Sequence, residues 1–100
     1  MLRIQRDEVN AHEATLHLQG RIISDWVVVL ERECDEASRA GLRIALDFSE
    51  VVFIDRSGFA ALARLSRAGA DFIGCSPLVA AMLAQEGIAA KCAPWDLEPR

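Results

Sequence analysis

The sequence predicts an α/β fold: a mixed β-sheet that opens with an antiparallel pair of strands and continues in parallel, with about three helices packed on it. Three observations carry this expectation. Two runs alternate with period two at the start of the chain, Leu2 and Ile4 among Arg3 and Gln5, then Leu16 and Leu18 among Thr15, His17 and Gln19. From there apolar, β-branched runs alternate with segments of helical period, the order expected where parallel strands are joined through helices. Glycines and capping residues fall at the boundaries between these segments.

The opening strands are separated by the polar stretch from Asp7 to Glu13, and Gly20 closes the second. Ser24 or Asp25 then supplies an N-cap for a segment reaching Ala40. Trp26-Val27-Val28-Val29-Leu30 has the β-branched content of a buried strand, but its continuation decides for a helix. Trp26, Leu30, Cys34 and Ala37 share one helical face, charged residues from Glu31 to Arg39 cover much of the rest, and Gly41 stands where a C-terminal cap belongs. Ile44, Leu46 and Phe48 mark one side of a third strand. Val51 to Ile54 follows as a nearly continuous apolar run, expected to be a buried edge.

Asp55 caps a helix from about Arg56 to Ala68, with Phe59, Leu62, Ala63 and Ser66 as its inward stripe, and Gly69 ends it. Ala70 to Cys75 is a short strand candidate. Ser76-Pro77 is a helix start, serine as the cap and proline at the first helical position. Val79, Met82 and Leu83 mark the apolar side of that third helix, which runs to Glu86 before Gly87. A last short strand is expected at Ala89–Cys92, and Pro94–Arg100 reads as a tail.

The 100 residues have room for one core, so a single domain over 1–100, with 94–100 as its tail, is expected. Acidic and basic residues are interleaved at a net charge of -4, which argues against a nucleic-acid partner. The longest apolar runs fall far short of the roughly 20 residues that cross a bilayer, so no direct membrane insertion is expected. Charges at Arg3, Arg6, Asp7 and Glu8 occupy the place of a signal peptide's apolar region, which points to the cytoplasm. Cys34, Cys75 and Cys92 are widely spaced without a C-x-x-C pair and read as buried reduced thiols. His12 and His17 have no second ligand pair at helical or turn spacing, so no metal site is expected. No nucleophile elbow surrounds any serine and no glycine loop ends in lysine; catalysis and cofactors are not expected.

The sharpest local feature is the stretch from Leu46 to Phe59. With Asp55 as the N-cap, Ser57 occupies the second helical position. A phosphate on Ser57 would lie in the favourable field of the helix N-terminus and yet face the Asp55 carboxylate. From these residues alone, Ser57 is either a hydroxyl that helps to cap its helix or a phosphoacceptor.

Leu46-Asp47-Phe48-Ser49, followed by Ile54-Asp55-Arg56-Ser57-Gly58-Phe59 and Leu62, resembles the signature of STAS domains, the group of sulfate-transporter tails and bacterial anti-sigma-factor antagonists. Leu18-Gln19-Gly20-Arg21-Ile22 is similar to the family's second strand, and Gly74-Cys75-Ser76-Pro77-Leu78-Val79 to the turn into its third helix, so the likeness spans nearly the whole chain. It implies a single STAS-like domain that is a non-enzymatic regulatory protein-binding module. In the antagonists, a partner serine kinase, itself the anti-sigma factor, phosphorylates the residue before the glycine, which here is Ser57. The resemblance implies partner binding through Asp55, Arg56, Ser57, Gly58 and Phe59, with Asp47, Ser49, Ser24 and Asp25 shaping the loops beside them. Arg56 stands where the family more often has a small residue. In a second branch, small stand-alone STAS proteins bind the ATPase subunit of a bacterial phospholipid transporter, and Pro94–Arg100 loosely resembles their tail. Trp95 within it either docks back on the domain or anchors a partner.

Overall fold

The structure, a computed structural model, describes residues 2–88. The strand expected at Ala89–Cys92 and the tail with Trp95 lie outside the described residues. The elements are β1 (Leu2–Glu8), β2 (Glu13–Ile22), α1 (Ser24–Arg39), β3 (Arg43–Ile54), α2 (Arg56–Arg67), β4 (Asp71–Ile73) and α3 (Pro77–Gln85). The sheet order is β1-β2-β3-β4, with β1 antiparallel to β2 and the two later pairings parallel. This is the mixed α/β sheet that the alternation at the start of the chain predicts. The β1–β2 turn is held by the Asn10 side chain, whose Oδ1 accepts from the His12 amide at 2.7 Å, an Asx turn.

Alternation sends Leu16, Leu18, Ile44, Leu46 and Phe48 to one face of the sheet, where they are buried under the helices together with Leu30, Leu62 and Leu83. Phe48 and Phe72 pack as a tilted aromatic pair across β3 and β4, ring centroids 5.3 Å apart. The other face carries Gln5, Thr15, His17, Gln19 and Asp47, none of them buried. One face is therefore core and the other is wet.

β3 departs from simple alternation twice. Its partners on β2 run from His17–Asp47 to Gln19–Glu50 and from Gly20–Val51 to Arg21–Phe53, so β3 gains one residue at each step. These are two β-bulges. They place Val51 and Ile54 in the core three residues apart and turn Val52 and Phe53 outward, 72% and 49% exposed. The run expected to be a buried edge is thus the end of one long strand with two apolar side chains displayed.

Three further expectations are corrected. The N-cap of α1 is Ile23, with extended backbone and no side-chain cap; Ser24 and Asp25 already lie inside the helix. Leu30, Cys34 and Ala37 face inward as expected, but the first inward position is Val27, three residues before Leu30, and Trp26 is left half-buried against the core. In α2 the buried residues are Gly58, Ala61 and Leu62, while Phe59, Ala63 and Ser66 are half-buried, because the helix approaches the sheet through its smallest residues. Cys34 is a buried free thiol, as expected, whereas the buried Cys75 is engaged in a disulfide.

Candidate partner-binding face

β2 and β3 run parallel, so their C-terminal ends lie side by side, and the chain leaves each of them into a helix. Ile22 pairs with Ile54, and the Asp55 amide donates to the Ile22 carbonyl at 3.1 Å. This brings the start of α1 next to the start of α2. The Asp55 carboxylate uses the arrangement fully: Oδ1 accepts from the Gly58 amide at 2.7 Å, and Oδ2 accepts from the Ser24 amide at 3.1 Å. One side chain thus caps α2 and also takes the place of the side-chain cap that α1 lacks.

Gly58 is glycine because of this closeness. A Cβ on it would collide with the Ile22 carbonyl oxygen and would stand 2.9 Å from Ile54 Cγ2. Arg56 and Ser57 are exposed on either side of these internal contacts, and Phe59 is half-buried against the core. The Ser57 hydroxyl makes no hydrogen bond among the described residues, since Asp55 performs the capping. The exposed part of α2 is further fixed by Arg64, whose Nε and Nη2 donate to Glu31 Oε2 of α1 at 3.0 and 2.6 Å.

Asp47 and Ser49 form a second group, on the wet face of the sheet. Asp47 Oδ1 accepts from the Ser49 amide at 2.9 Å, closing the loop across the first bulge. Its Oδ2 lies 2.8 Å from His17 Nδ1, a partnership invisible in the sequence because the two residues are 30 positions apart. Gly74 packs directly on Oδ1 with a φ of +71°, leaving no room for a side chain there. Partial burial pushes the Asp47 carboxyl up, but hydrogen bonds from Ser49 and His17 outweigh it and hold the group below its ordinary value of 3.8. Ser24 joins the Asp55 group through its amide, and Asp25 is exposed in the first turn of α1.

A family profile described as "Mlab, STAS domain" matches residues 6–93. The chain belongs to the STAS family. Among solved structures, the unphosphorylated form of the anti-sigma factor antagonist SpoIIAA superposes with a TM-score of 0.70 at 18% identity, over 90% of this chain and 86% of that one. The phosphorylated form of the Bacillus cell fate determinant SpoIIAA gives 0.68 at 20% identity, over 93% and 87%. A Shewanella loihica protein with a SpoIIAA-like fold gives 0.60 at 11% identity, over 91% and 82%. A comparison with curated proteins finds no significant sequence match. The STAS domain described here therefore has the SpoIIAA-like architecture. Among its described residues no helix is long and apolar enough to cross a membrane, and no group of three His, Cys, Asp or Glu side chains is arranged to hold a metal ion.

Proposed function

We propose that this STAS domain is a non-enzymatic regulatory module of the cytoplasm that binds a partner protein through the Asp55–Gly58 turn and the exposed side of α2, in the manner of an anti-sigma-factor antagonist, with Ser57 as its phosphoacceptor. The observation that supports this is the division of labour at the helix start. Asp55 supplies the cap, so the neighbouring hydroxyl is exposed and unoccupied, on a turn braced by two helices and the sheet. A phosphate on Ser57 adds about one and a half to two negative charges at an apposed surface, and the hydroxyl that would carry it takes no part in either Asp55 hydrogen bond. Arg56 extends into solvent beside it and can pair with an acidic group on the partner. Asp47, Ser49, Ser24 and Asp25 act in this reading by shaping the flanking segments, and no cofactor is required.

The test is a pull-down from the native cell followed by mass spectrometry, with Ser57→Asp and Ser57→Ala as baits. Capture of a kinase-like anti-sigma factor by the wild type and Ser57→Ala, but not by Ser57→Asp, is the expected result.

A second reading is favoured by the family profile, whose description is Mlab and which matches 6–93, and by Arg56 in a place where antagonists more often have a small residue. Here the domain is an accessory subunit that binds and stabilises the ATPase of a phospholipid-transport system. It then carries no phosphate by intact mass and co-purifies with an ATPase. Retrieval of neither an anti-sigma kinase nor a transporter ATPase would remove the support from both readings.

A further inference from the structure

The wet face of the sheet holds a cavity of about 340 Å³. It is lined by polar residues of β1, β2 and β3, among them Asp7, His17, Gln19, Asp47, Ser49 and Glu50. His17 is oriented by Asp47 through Nδ1, and its Nε2 stands 3.8 Å from Asp7 Oδ2, too far for a hydrogen bond. Three carboxylates, those of Asp7, Asp47 and Glu50, are thus gathered on this face, whereas Arg6 pairs with Leu16 on the core side of β1 and is itself 3.2 Å from Glu8. The cavity has the charge balance to receive a cation.

Next to it along the sheet stands an apolar pair. Ile22 and Ile54 are paired and face the core, so Arg21 and Phe53, paired one step before them, face the wet side. The second bulge adds Val52 to the same exposed end. Arg21 is two residues beyond Gln19, which places Phe53 about 7 Å from the cavity rim. The side chains i and i+2 of an extended segment are separated by the same distance of about 7 Å.

We propose that this face is a docking site for an extended protein segment of basic and apolar character, with a bulky apolar side chain seated on Val52 and Phe53 and a lysine or arginine two residues away entering the carboxylate-lined cavity. Charge complementarity selects the cation, and the exposed aromatic supplies the anchor. Because these residues lie on the sheet face turned away from the helices, the site is separate from the Ser57 turn and does not depend on it.

The experiment is an NMR titration of the full chain at neutral pH with the probe peptide acetyl-Phe-Ser-Lys-amide, and with acetyl-Phe-Ser-Glu-amide as its control. The lysine probe is expected to saturate shifts at the His17 and Phe53 rings, and the glutamate probe to leave them in place. Phe53→Ser and Asp7→Asn change exposed side chains and keep the fold; each is expected to weaken the lysine probe by about ten-fold, the effect of losing roughly 1.4 kcal/mol. Equal shifts with both probes, shifts confined to Arg56–Phe59, or no shift up to about 10 mM of the lysine probe, well above the millimolar range of weak binding, would overturn the proposal.

Discussion

Replacing Asp55 with alanine removes an acceptor that serves two helix starts at once. The Gly58 amide is part-buried and bonds at 2.7 Å, so its loss belongs at the upper end of the capping range, about 1.5–2 kcal/mol. The Ser24 amide is exposed and bonds at 3.1 Å; water replaces the carboxylate there, and its loss is about 0.5–1 kcal/mol. Together the change costs about 2–3 kcal/mol, equivalent to a fall in melting temperature of about 10–20 °C for a domain of this size. Ser76→Ala is the internal reference. It removes a single cap, the bond from the Val79 amide at 3.2 Å, and is expected to cost about 1 kcal/mol. Asp55→Asn retains one carbonyl acceptor and presents its amide group to the other donor, so it should fall between Asp55→Ala and the wild type. Urea denaturation followed by circular dichroism gives all four values. An Asp55→Ala loss no larger than that of Ser76→Ala, or an Asp55→Asn variant as stable as the wild type, would refute the two-helix role of this carboxylate.

Three other outcomes are expected. Gly58→Ala forces a methyl group against the Ile22 carbonyl and Ile54, and should lower stability by about 2–3 kcal/mol in the same urea assay, as overpacking does where backbone cannot yield. The Asp47 carboxyl is held below 3.8 in the folded chain, so in the unfolded chain it binds its proton at the higher pH; its contribution to stability is complete above about 3.8 and is lost as pH falls through the lower folded value. The melting temperature of the wild type should therefore fall more steeply below pH 3.8 than that of Asp47→Asn, as differential scanning calorimetry can measure. Burial, followed by Glu33 and Glu31, pushes the Cys34 thiol up to about 12, so peptide mapping after iodoacetamide treatment at neutral pH should find Cys34 unlabelled in the folded protein and labelled in urea.

The strands, the three helices and the capping role of Asp55 were legible because each rests on local pattern: alternation, helical period, or a capping residue before an apolar run. The start of α1 was misplaced because Ser24 and Asp25 have the chemistry of caps, whereas the position is set by pairing of Ile22 with Ile54 and by a carboxylate that reaches across from α2. Trp26 was taken for the core in place of Val27 because both stand on Leu30's side of the helix, four and three residues before it, and hydrophobicity alone does not choose between them. Val51 to Ile54 looked uniformly buried since hydrophobicity alone does not show where a strand gains a residue; only the register against β2 separates Val51 and Ile54 from Val52 and Phe53. For the same reason the His17–Asp47 pair could not be seen, as each residue alone is an ordinary polar position on a strand. Ser57 and Arg56 were singled out from the motif, and the structure adds that both are exposed and that the Ser57 hydroxyl makes no hydrogen bond among the described residues.

The bulges in β3 also make the chain unequally tolerant of length changes. Each bulge is one extra residue on β3, so a single deletion there would restore even pairing and leave Ile54 beneath the helices, whereas a single deletion within β2, which pairs on both sides and has no spare residue, would exchange its two faces. The turn at Asn10, held by local hydrogen bonds at the open end of a hairpin, has no such obligation. Insertions and deletions among homologous chains should therefore collect at the turn at residues 9–12 and next at the two bulges, and the residue count from Ala14 to Ile22 should behave as an invariant, a ruler by which distant members can be aligned when their side chains no longer agree.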